Sequence, residues 1–247
     1  MCYWGEALMF GPNINAGMDA ADNPRAYEAT QQALALAPKA SEREHAYIEA
    51  LAKRYAKEPP DDRGPLDLAY AEAMGAVAQR FPDDPDAASL YAEALMDTMP
   101  WAYWEPDGSP KPTTVTLLAT LESVLAVHPD HPLANHLYIH AVEKVHPERG
   151  VVAADRLRDM VPGAGHLVHM PGHIYFLAAA SFIGDGDKAL PAALHIRHHQ
   201  DPKLMRQPGY ATLQHYWSMP LIKTHSNPID LSESIHAVNT RVVPFSI

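Results

Sequence analysis

Apolar residues in this chain recur at helical spacing in short blocks, and polar turns containing proline separate the blocks. Tyr27, Leu34 and Leu36 belong to one block, and Leu117, Leu118, Leu121 and Leu125 to another. Spacings of three, four and seven residues mark one face of a 3.6-residue period, so these stretches read as amphipathic helices. The helical blocks end at proline steps: Ala37-Pro38, Phe81-Pro82, His128-Pro129 and Val161-Pro162. The residue before a proline is biased away from helix, so each step reads as a turn. A second apolar block follows each turn. Ser41 with Glu44 predicts a capping box where one of these second helices starts.

The second helices share a short motif. It reads WGEAL at 4–8, AYIEAL at 46–51, LYAEAL at 90–95 and LYIHAV at 137–142, with a looser copy MPGHIY at 170–175. Alignment stacks Glu6, Glu49, Glu93, His140 and His173, separated by 43, 44, 47 and 33 residues. Periods of this size belong to arrays of helical repeats. The longer periods have a cause: Gly11–Asp19, Lys57–Pro65 and Thr98–Pro112 are rich in Pro, Gly, Asn and Asp and read as loops. All three leave the same end of the recurring helix, so they line one rim. The third carries Trp101, Tyr103 and Trp104, which read first as loop packing and second as a substrate lid. Beyond Tyr175, residues 176–199 read as a further helix–turn–helix, with the HIRHH stretch at 195–199 as a solvated face. Tyr210–Met219 reads as one more helix, and 221–247 as an irregular tail.

The stretch AYEATQQALALAP at 26–38, with its aromatic and small-residue spacing and closing proline, resembles the tetratricopeptide repeat family. The stretches CYWGEALMFGPNIN, LYAEALMDTMPW, ANHLYIHAVE and AGHLVHMPGHIY resemble a bacterial group within that family. The likeness covers residues 1–175 well and 176–219 loosely. It implies longer chains at both ends and no particular activity. Pattern and resemblance together imply an all-α fold. The expected architecture is a right-handed α-solenoid of tetratricopeptide-like helix pairs over residues 1–220, with a concave groove.

Charge and chemistry narrow the function. The formal net charge is −11, from 19 basic and 30 acidic residues. Such a chain repels nucleic acid and anionic membrane on average, so neither is an expected partner. No apolar run reaches the ~18 residues that mark a spanning helix. A single cysteine, Cys2, excludes an internal disulfide. No basic and apolar leader precedes the first repeat, which favours the cytoplasm. Met1 nevertheless opens straight into a repeat without a polar cap, which points to a chain that begins upstream. No glycine-rich phosphate loop, GxSxG or HExxH occurs.

The 15 histidines carry the candidate chemistry. His136 and His140 lie four apart on one predicted helix, as do His169 and His173 one repeat later. Residues four apart share a helix face, and neighbouring helices pack about 8–10 Å apart. Two such pairs predict four imidazoles converging in the groove, a ligand set for a transition ion such as Zn, Cu or Fe. Glu143, one turn past His140, is a further ligand or an orienting partner. Glu93, in the same row, adds a carboxylate, and His166 is an outer or extra ligand. Glu6 and Glu49, lower in the row, read as solvated or paired with arginine. Pro171 predicts that its helix begins near that residue, leaving His169 at the start. Competition with protons near the ordinary histidine pKa of about 6.5 predicts metal loss between about pH 7 and 5. The expected function is metal-dependent hydrolysis or redox chemistry on a small molecule or peptide in the groove. The competing expectation is a metal-free scaffold that binds a peptide there. The composition of the chain fixes no oligomeric state.

Overall fold

The computed structural model describes residues 1–182, all within one compact unit. The elements expected over 183–199 and 210–219, and the 221–247 tail, lie outside the described residues. The described part is all-helical: α1 Cys2–Phe10, α2 Asn23–Leu36, α3 Glu42–Leu51, α4 Gly64–Arg80, α5 Pro85–Asp97, α6 Pro112–Val127, α7 Pro132–Val142, α8 Val151–Leu157 and α9 Gly165–Phe182. Short 3-10 turns join several of them. Only two isolated bridges, Asn13–Ala16 and Trp104–Pro110, have strand-like pairing among the described residues.

The helix starts are written in local chemistry. Ser41 and Glu44 form the expected capping box on α3. Asp84 caps α5 by accepting from the Asp86 and Ala87 amides. His131 caps α7, its Nδ1 accepting from Ala134 N at 3.1 Å. Proline stands in the first turn of α2, α4, α5, α6 and α7, where its missing N–H costs nothing. The exception is Pro171, which lies inside α9 instead of opening it. The helix begins six residues earlier, at Gly165, and runs on through the proline. An interior proline forfeits one backbone bond, and the buried Val168, Met170, Ile174 and Tyr175 supply apolar burial on either side of it.

Each helix packs on the next in sequence, and α1 also meets α3, α5 meets α7, and α7 meets α9. Odd-numbered helices, which carry the recurring motif, are therefore neighbours as well at these three pairs. Small residues make this approach close: Ala7, Ala26, Ala87, Ala92, Ala94, Ala134 and Ala154 have no exposed surface. At Gly150 an added Cβ would stand 2.5 Å from Ile174 Cδ1 and 3.2 Å from Val142 Cγ2. Ile174 and Val142 are fully buried, so either side chain would have to shift within the packed core. Gly150→Ala is expected to cost about 1–3 kcal/mol, the usual range for overpacking, measured by urea unfolding; an unchanged midpoint would refute this packing.

Two of the three loops fold inward, while 57–65 stays exposed except at the half-buried Arg63. Ile14 is buried in the same apolar cluster as Met96, Leu121 and Leu137. Tyr103 is buried too, its carbonyl accepting from Thr114 Oγ1 and from Lys111 N. Trp104 Nε1 donates to Ala141 O at 2.8 Å, tying its loop to α7.

Candidate metal centre

Two facing stripes of polar side chains make the site. On α7 and its C-terminal cap they are His136, His140 and Glu143, at positions i, i+4 and i+7. On α9 they are His166, His169 and His173, at i, i+3 and i+7. Both spacings keep three side chains on one face. Because α9 starts at Gly165, His166 is already helical and joins its stripe.

The register between stripes differs from the sequence alignment by about one turn. Alignment pairs His140 with His173. In the structure His136 faces His166, ring centroids 4.9 Å apart, and His173 Nδ1 reaches Glu143 Oε2 at 2.8 Å. The residues that meet are thus 30 apart instead of 33. This brings His166 to the centre: His136, His140 and His166 each offer a ring nitrogen, all within 4.8 Å of one another. His169 stands next, 4.8 Å from the His166 ring, and His173 a further 5.2 Å along. Glu93 is grouped differently. The nearby charge acting on it is Arg54, whose attraction is outweighed by desolvation, so its carboxyl is raised although its surface is only partly covered. Glu6 pairs with Arg25 at 3.5 Å, and Glu49 with His45 at 3.4 Å.

Hydrogen bonds fix the tautomers. Glu143 Oε1 faces His140 Nδ1 at 3.2 Å while its Oε2 faces His173 Nδ1. Burial of Glu143 would raise its pKa, but these two hydrogen bonds outweigh it and bring the carboxyl down to about 2. An ionised carboxylate only accepts, so both rings carry their proton on Nδ1. His169 Nδ1 faces the Gly165 carbonyl at 3.3 Å, which also only accepts. In their neutral form these three rings present the Nε2 lone pair. The His140 and His136 Nε2 atoms approach to 3.0 Å. A tetrahedral ion with metal–nitrogen bonds of about 2.0–2.1 Å holds its ligand nitrogens about 3.3 Å apart, close to this spacing. Asn15, from the 11–19 loop, meets His166 Nε2 at 3.1 Å.

The cluster is a poor place for a proton. Burial, then the neighbouring His140, His166 and His169, hold His136 well below the ordinary histidine value. Burial, reinforced by adjacent rings, brings His166 and His169 down to about 4. Trp101 stands over the site, its ring 5.3 Å from that of His140 and nearly perpendicular to it. Its backbone is left-handed, with φ at 60°, the sole non-glycine in that region among the described residues. Such a conformation costs about 1–2 kcal/mol.

Two other places were compared. A depression of about 410 Å³ is lined by Leu34, Glu49, Ala52 and Lys53, none of which belongs to the histidine cluster on α7 and α9. It presents no group of convergent ligands, so the chemistry is placed at the histidines. Ser89, His131 and Asp86 lie in nucleophile-relay order, with His131 Nε2 3.1 Å from Asp86 Oδ1. Here His131 Nδ1 is occupied by the Ala134 amide, 3.5 Å from a Ser89 hydroxyl that donates to Pro85 O. The trio is a helix cap.

Sequence reasoning did not single out Asn15 or the neighbouring charge cluster. In that cluster Arg54 bridges Pro12 O, at 2.7 Å, and Asp97. Burial outweighs the attraction of Arg54 and pushes the Asp97 carboxyl up to about 8. Tyr70 lies under the guanidinium at 4.6 Å. Gly11 makes room for this, since a Cβ there would stand 2.5 Å from Tyr55 Oη. Compared with family models, with characterised proteins and with solved structures, the chain matches none.

Proposed function

We propose that the protein is a tetratricopeptide-like right-handed solenoid whose inner helices hold one transition-metal ion through His136, His140 and His166. The observation that carries this reading is the set of acceptors behind the rings. Glu143 accepts at Nδ1 of His140 and His173, and the Gly165 carbonyl at Nδ1 of His169, which leaves Nε2 as the nitrogen that each neutral ring offers a metal. Outer acceptors of this kind are the usual support of metal-bound histidine. His169 and His173 complete or flank the ligand set, and Glu93 is assigned to the Arg54 cluster instead.

Three histidines on a four-coordinate ion leave a position open, as catalytic zinc sites do. The ion supplies Lewis acidity or a redox centre there. The chain supplies orientation through Glu143, partial exclusion of water through Trp101, and low proton affinity at His136, His166 and His169. Zn, Cu and Fe all suit imidazole. Metal-dependent hydrolysis or oxidoreduction is thus favoured over the scaffold reading. A peptide groove requires a clear inner surface, and Ile14, Trp101 and Tyr103 occupy the neighbourhood of these helices.

The test is elemental analysis of protein purified without a histidine tag, where about one ion per chain is expected and a metal-free protein would refute the reading. Acidification gives a second measurement. A histidine whose folded pKa is depressed takes up more protons when unfolded, so stability falls as pH drops from about 6.5 toward the folded value of about 4. The apoprotein melting temperature is expected to fall across that window. At His166 and His169 protons compete with metal toward the lower end of that window, so metal is expected to leave between about pH 5 and 4. This is lower than the sequence implied, because burial and ring–ring repulsion weaken these imidazoles as bases. Metal already lost at pH 6 would refute it.

A further inference from the structure

We infer that Trp101 forms one wall of a ligand site above the metal centre, and that the site takes a small monoanionic carboxylate bearing an aromatic or apolar ring. This rests on the metal reading above. The first ground is how the 98–111 loop is held. Ala102 N donates to Met99 O at 3.0 Å, Trp104 Nε1 is tied to Ala141 O, and Tyr103 is buried. Between these anchors Trp101 takes a left-handed backbone without being glycine. Strain of this kind gathers where the surrounding structure fixes a residue for use. The second ground is exposure. Tyr103 is 3% exposed and packs in the core, whereas Trp101 keeps 40% of its surface open while its ring meets His140. An indole that touches the cluster and still faces solvent is placed to meet a ligand that arrives from outside.

Charge selects the other half of the ligand. A divalent ion on three neutral imidazoles, beside one ionised Glu143, leaves a net single positive charge. Arg54 keeps its charge beside Asp97, whose carboxyl burial pushes up, so that pair adds no negative charge to offset the ion. An anion is therefore favoured at the open coordination position, and a carboxylate oxygen suits Zn or Fe. A ring on that carboxylate would lie against the indole, where edge or offset contact between aromatic groups is favourable.

The experiment uses tag-free protein loaded with Co(II), whose visible absorption reports its coordination. Acetate and benzoate are titrated separately. Benzoate is expected to change the spectrum at about tenfold lower concentration than acetate, the scale of one aromatic contact. Trp101→Ala is expected to bring the two midpoints within about threefold, and Trp101→Phe to keep most of the preference. Equal midpoints in the wild type, or a preference that survives Trp101→Ala, would overturn the inference while leaving the metal centre intact. Absence of any Co(II) spectrum would instead overturn the metal reading, and this inference with it.

Discussion

Replacing His140 with alanine is expected to abolish metal binding and every metal-dependent activity. The ring lies at the centre of the set, its Nε2 3.0 Å from that of His136 and its Nδ1 on Glu143. Glu143→Gln removes only an outer partner and is expected to weaken metal by about 10–100-fold, so His140→Ala must exceed this. The sequence placed His140 in a concave groove. The structure buries it to 2% exposure. Alanine there leaves a cavity as well, and about 2–4 kcal/mol of apoprotein stability is expected to go with the ring. His166→Ala separates the effects, because His166 is only half-buried. It is expected to lose metal at a smaller cost in stability. Calorimetric metal titration of both variants decides the matter. Wild-type affinity in His140→Ala would place the ion elsewhere.

Arg54→Ala is expected to be the most destabilising single change in the first half of the chain, costing about 3–5 kcal/mol in chemical denaturation. Arg54 and Asp97 have side chains 2% and 3% exposed, so removing the cation strands a buried carboxyl beside Glu93. The change also releases Pro12 O and the cation–π contact with Tyr70. A double change, Arg54→Met with Asp97→Leu, is expected to regain much of the loss, since apolar groups of similar volume replace a buried pair well. A loss below about 1 kcal/mol for Arg54→Ala would show that the pair is hydrated.

The helices were legible in the sequence because their signals are local. Ser41 with Glu44, the proline steps and the recurring motif each need only a few neighbouring residues. His136 and His140 were legible for the same reason. Register across α8 was not, since a count along the chain cannot report how far one helix slides along another. The one-turn slip moved His166 from the margin to the centre. Pro171 misled because proline usually opens a helix, while here the burial of Val168, Met170 and Ile174 holds the helix through it. Asn15 was invisible: its contact with His166 spans 151 residues.

That span has a consequence for the order of events during folding. Successive helices meet after short loops, and such closures are fast. The Asn15–His166 contact closes a far longer loop, and the Arg54 tie that steadies the 11–19 segment crosses 42 residues. The imidazoles on α7 and α9 are therefore expected to come together before Asn15 reaches them. The 11–19 loop is thus expected to dock onto a histidine cluster that is already assembled, covering one side of it at His166.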